Sequence, residues 1–252
     1  MPKPVSLDEL WASARPATAR FDPAALAGMP PGARRFLGHV LAPGAVLPNA
    51  VRLAMTGTIR LGDWYPFEAE QVIVRGRGMI WTARVRMKGL PIRGWDRLLD
   101  GRGAMRWSLF GLIPFLRAEG PDITRSARGR LRAESIWLPS LLAEPDVAWT
   151  EAEDTHLRVR VPAQDAPDAG FGDLDLTTDG DGRLREVHLR RWGNPGGGAF
   201  REEPFGGFME AEDTFQGLTI PTRVRIGWHP GTDRFEPEGE FFRAELGRAE
   251  FR

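Results

Sequence analysis

The sequence predicts a mainly β, α+β fold. The expected form is a single strongly curved antiparallel sheet, or half-barrel, of about ten strands. One helix packs in its concave side, and short helices precede the sheet. Three observations predict this. After residue 50 apolar residues recur at every second position through most of the chain. One helix-like stretch interrupts these runs midway. Helices and strands do not alternate in the βαβ rhythm that a parallel sheet requires.

The elements follow in order. Ser6 and Glu9 form an S-x-x-E capping box ahead of Leu7, Leu10 and Trp11, which starts a helix. A second short helix is expected from about Gly32 to Leu41, after Pro30-Pro31, with Ala33, Phe36, Leu37, Val40 and Leu41 on its apolar face. The period then changes to two. Val51 to Ile59, Phe67 to Val74, Met79 to Arg86 and Met105 to Leu109 read as strands separated by Gly/Asp/Pro turns, the pattern of a meander. Asp122 is a plausible N-cap for a helix reading ITRSARGRLRAESIW, with Pro139 near its end or at a kink. Strands resume at Leu157 to Val161. Phe171 to Thr178 and Leu184 to Trp192 flank Asp179-Gly180-Asp181-Gly182, a hairpin signal. Met209 to Phe215, Thr222 to Trp228 and Glu240 to Leu246 complete the set. The chain divides into an N-terminal helical segment, 1–45, and a curved β domain, 46–252, with the inserted helix near 122–142, the two forming one structural domain.

Composition narrows the function classes. Hydrophobic residues make up 42% and charged residues 27% of 252, enough for a real core. Thirty-four basic residues balance 34 acidic ones, so affinity for nucleic acid through overall positive charge is not expected. The absence of cysteine excludes disulfides, thiol nucleophiles and Cys-based metal sites. Lysine occurs only at Lys3 and Lys88; every other basic side chain apart from histidine is arginine, which reflects either a GC-rich genome writing Arg for Lys or arginines in a partly buried site suited to carboxylates. The N-terminus has acidic and polar residues where an apolar signal core would lie, and no apolar run is long enough to span a membrane as a helix. The expected compartment is the cytoplasm.

Few motifs carry chemistry by themselves. Asp175, Thr177, Asp179, Gly180 and Glu186 partly match a calcium loop, but a β-hairpin accounts for them without a metal. No histidine pair has metal spacing, and neither a nucleophile elbow nor a phosphate-binding glycine loop occurs. No metal or cofactor is expected.

Alternation places Glu186, His188, Arg190 and Trp192 on one face of their strand. That face is either a solvated stripe or a row able to orient a carboxylate and move a proton. Glu134, set among Leu131, Ile136, Trp137 and Leu138, is either a structural partner for an arginine or a cavity carboxylate. Nine tryptophans against one tyrosine are many indoles for a dry core, so lining a cavity is the alternative to plain packing.

Arg132-Ala133-Glu134-Ser135-Ile136-Trp137-Leu138-Pro139-Ser140-Leu141 resembles the R-A-E-x-x-W-x-P-x-x-L core of an uncharacterised bacterial family, a domain of unknown function. Pro66 to Gln71 with Trp81-Thr82-Ala83 is similar to its early strand pair. Pro204 to Gly207, Gly217 to Thr222 and Gly227-Trp228 are similar to its late part. The resemblance covers roughly residues 30–246. It implies no activity. Its strand pattern is similar to the helix-plugged curved sheet of the LolA and LolB lipoprotein carriers, which hold acyl chains in an apolar hollow.

The functional expectation is binding of a hydrophobic or amphipathic, lipid-like small molecule in a Trp-rich cavity. The candidate ligand-binding residues are Glu134, Trp137, Arg190, Trp192, Trp81, Trp107 and Gln71. Glu134 and Arg190 would anchor the polar end, and the loop at Gly196 to Gly198 would gate access. The alternative is a cofactor-free isomerase, cyclase, lyase or hydrolase in which Glu134 or His188 is the acid/base and Arg190 stabilises developing negative charge. A third possibility, a structural or protein-interaction module, predicts a filled concave face. Neither a nucleic-acid partner nor an integral membrane segment is expected.

Overall fold

The computed structural model describes residues 5–165 and 170–252; Lys3 lies outside them. Three α-helices, α1 (Leu7–Ser13), α2 (Pro31–Val40) and α3 (Pro121–Ala133), accompany thirteen strands. The strands before α3 are β1 (Ala50–Leu61), β2 (Asp63–Val74), β3 (Gly78–Met87), β4 (Leu90–Leu99), β5 (Arg102–Leu109) and β6 (Ile113–Glu119). Those after it are β7 (Ala148–Glu153), β8 (His156–Pro162), β9 (Phe171–Thr178), β10 (Leu184–Gly193), β11 (Arg201–Phe215), β12 (Leu218–Trp228) and β13 (Glu240–Phe251). They form one antiparallel sheet in the order β6-β5-β4-β3-β2-β1-β13-β12-β11-β10-β9-β8-β7.

The mainly β, antiparallel class is as expected, but the strand count is thirteen rather than about ten. The strands not anticipated are β4, β6 and β7. Pro91 and Gly94 interrupt the pattern in β4. β6 and β7 are the two edges of the sheet, and β6 is exposed along almost its whole length. A strand without two burying neighbours has little alternation to read.

The inserted helix also differs from expectation. Gly120, at φ 116°, is its N-cap, and Asp122 lies in the first turn. The α-helix ends at Ala133, and a 3₁₀ turn, Glu134–Trp137, continues the chain. Pro139 disfavours helical backbone at the preceding residue, and Leu138 is at φ −131°, ψ 68°. This tight turn buries Glu134 and Trp137 together. The Ser6 capping box forms as expected: the Glu9 carboxylate accepts from Ser6 N at 2.7 Å, and Ser6 Oγ accepts from Glu9 N at 3.2 Å.

The position of α3 requires the sheet to curve. Its Thr124 Oγ1 accepts from Gly103 N of β5 at 2.9 Å, and its Ser126 carbonyl accepts from Arg191 Nε of β10 at 3.1 Å. Seven strands separate β5 from β10 in the sheet. Laid flat, that separation is roughly 38 Å, several times the diameter of one helix. One helix meets both only because the sheet wraps around it.

The main core fills the concave side. It includes Phe36 and Leu37 of α2, Leu131 of α3, Trp137, Leu138 and Leu141 after it, and the inward residues of the strands. A smaller cluster on the opposite face packs Leu10 and Ala14 beside Val72, Val74 and Ile80. The end of β2 is therefore buried on both sides, with Gln71 and Ile73 facing one cluster and Val72 and Val74 the other.

Candidate functional site

The concave side is not filled completely. A cavity of about 370 Å³ lies between the sheet and the segment formed by α3 and its following turn. Its walls are largely apolar and include four indoles, Trp81, Trp107, Trp137 and Trp228. This size lies at the small end of the usual range for ligand sites. Leu61, Phe115 and Leu116 both line the cavity and remain exposed, so they form its rim.

A chain of buried and half-buried polar contacts crosses one wall. Trp107 Nε1 donates to Asp96 Oδ1 at 3.1 Å, and Arg130 Nη1 donates to Asp96 Oδ2 at 3.0 Å. Arg130 Nε donates to Glu134 Oε1 at 2.7 Å, and Gln71 Nε2 donates to Glu134 Oε2 at 2.6 Å. Each oxygen of the two carboxylates thus accepts one hydrogen bond. The Arg130 guanidinium also lies 5.1 Å from the centre of the Trp81 ring. Burial by itself would lower the Arg130 pKa; the charges of Glu134 and Asp96 outweigh it and raise the pKa.

Arg191 is different. Nε donates to the Ser126 carbonyl at 3.1 Å and Nη2 to Ser126 Oγ at 3.3 Å. Its guanidinium lies over Phe205 at 4.4 Å and Trp228 at 5.2 Å. Among the described residues no carboxylate is within ion-pair distance of it. Burial first, and then the Arg130 charge, push its pKa down to about 9, with Glu134 and Asp96 in partial opposition. It remains a cation at neutral pH. Two further atoms of the lining residues are buried without a partner among the described residues, the acceptor Gln71 Oε1 and the donor Trp81 Nε1. Leaving such groups unpaired is costly, and a bound molecule can satisfy them.

The structure brings together Gln71, Trp81, Trp107, Glu134 and Trp137 from the expected set. The indole N–H of Trp137 is already used, donating to the Pro221 carbonyl at 3.1 Å. His188, Arg190 and Trp192 are not at the cavity. They share one face of β10, as alternation requires, but it is not the face that lines the cavity. Val187 and Arg191 of the same strand line the cavity instead.

Arg190 is exposed and donates to the Glu202 carbonyl. His188 Nε2 lies 3.0 Å from Glu186 Oε2, in a geometry too bent for a hydrogen bond. Trp192 donates to Asp122 Oδ1 at 2.8 Å and stacks under Arg125 at 3.8 Å, bracing the start of α3. Glu134, His188 and Arg190 therefore do not assemble into a catalytic set. Nor does Glu134 serve as a free anchor, since Arg130 and Gln71 hold both its oxygens. The loop at Gly196 to Gly198 does not line the cavity.

Four charged cavity residues escaped the sequence reading: Arg60, Asp96, Arg130 and Arg191. Asp96 lies in the unanticipated strand β4. Arg130 is one helical turn before Glu134, the spacing of an i,i+4 pair. Arg191 has the same parity as Val187 and Leu189, which are apolar, and that parity was the available signal for the inward face. The calcium-like residues form the expected hairpin, where Asp179 accepts from Asp181 N, Arg183 N and the Arg185 side chain.

The family model of DUF6544, a family of unknown function, matches residues 19–238. No curated protein matches the chain. Among solved structures, a domain named for outer membrane lipoprotein sorting from Vibrio parahaemolyticus aligns with 8% identity and a TM-score of 0.43, over 81% of this chain and 86% of that one. A LolA superfamily protein from Nitrosomonas europaea aligns with 10% identity and a TM-score of 0.43, over 88% of this chain and 92% of that one.

Proposed function

The chain belongs to the DUF6544 family, a family of unknown function, and from its cavity we propose that the protein binds an amphipathic small molecule with a carboxylate-type head. The observation that carries this reading is Arg191, a cation on an apolar cavity wall with no carboxylate partner among the described residues. Asp96, Arg130 and Glu134 already satisfy one another, so their charges do not serve a ligand. A ligand carboxylate would meet the Arg191 fork in a site where charge-assisted hydrogen bonds are strong. Trp81 Nε1 and Gln71 Oε1 offer one further donor and one acceptor. The indoles and aliphatic side chains would cover the apolar body, each buried methylene contributing about 0.8 kcal/mol.

Four indoles at the cavity make intrinsic fluorescence the direct readout. Titration with dodecanoate is expected to give a saturable change, and dodecan-1-ol to bind at least about tenfold more weakly. Arg191→Met should remove that discrimination while the alcohol still binds. A folded protein that shows no saturable response to either compound overturns the reading.

A further inference from the structure

The exposed apolar side chains are not scattered. Among the described side chains, all the large exposed ones lie at one end of the β1–β6 meander. Leu61 is at the β1–β2 turn and Leu90 at the β3–β4 turn. Phe110, Leu112, Ile113, Phe115 and Leu116 follow through the β5–β6 turn into edge strand β6. Phe110 N donates to the Pro91 carbonyl at 2.9 Å, so two of these tips are in direct contact. Phe110 sits at φ 56°, a conformation that a bulky side chain adopts at a cost. Lys88, Asp100, Gln216 and His229 also have positive φ, and among the described residues Phe110 is the apolar side chain that does so.

The surface around the tips is basic. Arg84 through Arg117 contains eight cations and two carboxylates. Arg84, Arg86, Lys88 and Arg93 flank the β3–β4 tip, and Arg106 and Arg117 lie midway along β5 and β6. Arg97 and Arg102 lie toward the opposite, β4–β5 end, and Asp63 stands at the β1–β2 tip. Of these carboxylates, Asp96 lies in the cavity wall and Asp100 is held by Arg77. Arg84 stands opposite Arg93 across β3 and β4, and Arg106 opposite Arg117 across β5 and β6. Like charges in register destabilise a sheet. Among the described residues, Arg117 alone of those four arginines has an ion-pair partner, Glu119 at 3.2 Å.

We propose that this end of the meander docks on an anionic lipid bilayer, with the apolar tips inserted and the arginines against the head groups. Apolar side chains rimmed by Arg and Lys are the chemistry of an interfacial membrane site. A second copy of the chain fits poorly, because a two-fold contact would set this basic surface against itself. Phe115 and Leu116 belong both to the exposed patch and to the cavity lining, so docking sets the cavity mouth at the bilayer. Docking requires no occupant in the cavity and stands apart from the carboxylate reading.

The test is co-sedimentation of the protein with vesicles. Wild type is expected to pellet with phosphatidylcholine vesicles containing about one-third phosphatidylglycerol, and at least about tenfold less with phosphatidylcholine alone. The triple variant Phe110→Ser, Leu112→Ser, Ile113→Ser should lose about tenfold or more of the anionic-vesicle binding. Lys88→Glu with Arg93→Glu should do the same, and added salt should weaken wild-type binding. None of these five residues lines the cavity, so dodecanoate titration of the variants is expected to match wild type. Wild type that stays in the supernatant, or binding that survives both sets of substitutions, overturns the proposal. A concentration-dependent dimer abolished by the triple variant, without vesicle binding, assigns the patch to a second copy instead.

Discussion

Gln71 donates its side-chain N–H to Glu134 at 2.6 Å, tying the end of β2 to the turn that follows α3. Gln71 is fully buried, and Glu134 is nearly so. The contact holds one carboxylate oxygen and leaves the other for Arg130, so it orients the whole polar chain along the cavity wall. Gln71→Leu is expected to cost about 1–3 kcal/mol, because it leaves a buried carboxylate oxygen unpaired. Urea denaturation measures this. A loss below about 0.5 kcal/mol would show that the contact adds nothing net to stability.

Gly129 tests how Arg191 is held. An alanine Cβ at this helix position would lie 2.8 Å from Arg191 Cγ. Glycine to alanine inside a helix ordinarily gains about 1 kcal/mol. Here Gly129→Ala is expected to give no gain, or a loss of up to about 2 kcal/mol, since the Arg191 stem must shift. The preference for dodecanoate over dodecan-1-ol should fall at the same time. A stabilised variant with unchanged preference would show that the close approach does not position Arg191.

Glu240 gives the fold an acid-sensitive tie. Its buried carboxylate accepts from Arg225 Nε at 2.7 Å and from Arg243 Nη2 at 2.8 Å. Burial would push its pKa up; the hydrogen bonds from Arg243 and Arg225 outweigh burial and hold it down at about 2. The pKa in the unfolded chain is about 4.3. A depressed folded pKa means the stabilisation is fully present above the unfolded value and is lost as pH falls through the folded one. Wild type should therefore lose stability between about pH 4.5 and pH 2. Glu240→Gln should be less stable by about 3 kcal/mol at neutral pH, as expected for a broken buried ion pair. The gap between the two proteins should close as pH falls through that window. A gap that stays constant in denaturation series across the window would rule out this role for Glu240.

Much of the architecture was legible in local pattern. Two-residue alternation marked the central strands, the Asp179 to Gly182 turn marked the β9–β10 hairpin, and Ser6 with Glu9 marked the first helix. These signals survive because the responsible contacts lie within a few residues of one another. The edge strands β6 and β7 and the interrupted strand β4 left weaker traces. Asp96 went unread with β4, although it accepts from both Trp107 and Arg130.

The sequence alone determined which residues share a face of β10: His188, Arg190 and Trp192 on one side, Val187, Leu189 and Arg191 on the other. The pleat of an extended chain requires this whatever the rest of the protein does. Only the tertiary structure decided which side looks into the cavity. That choice depends on α3, more than fifty residues earlier in the chain, whose Ser126 carbonyl and Gly129 backbone receive Arg191. Alternation has period two and is symmetric under exchange of its faces. Where both faces carry polar groups, it takes the non-local packing of a helix against a wrapped sheet to break that symmetry.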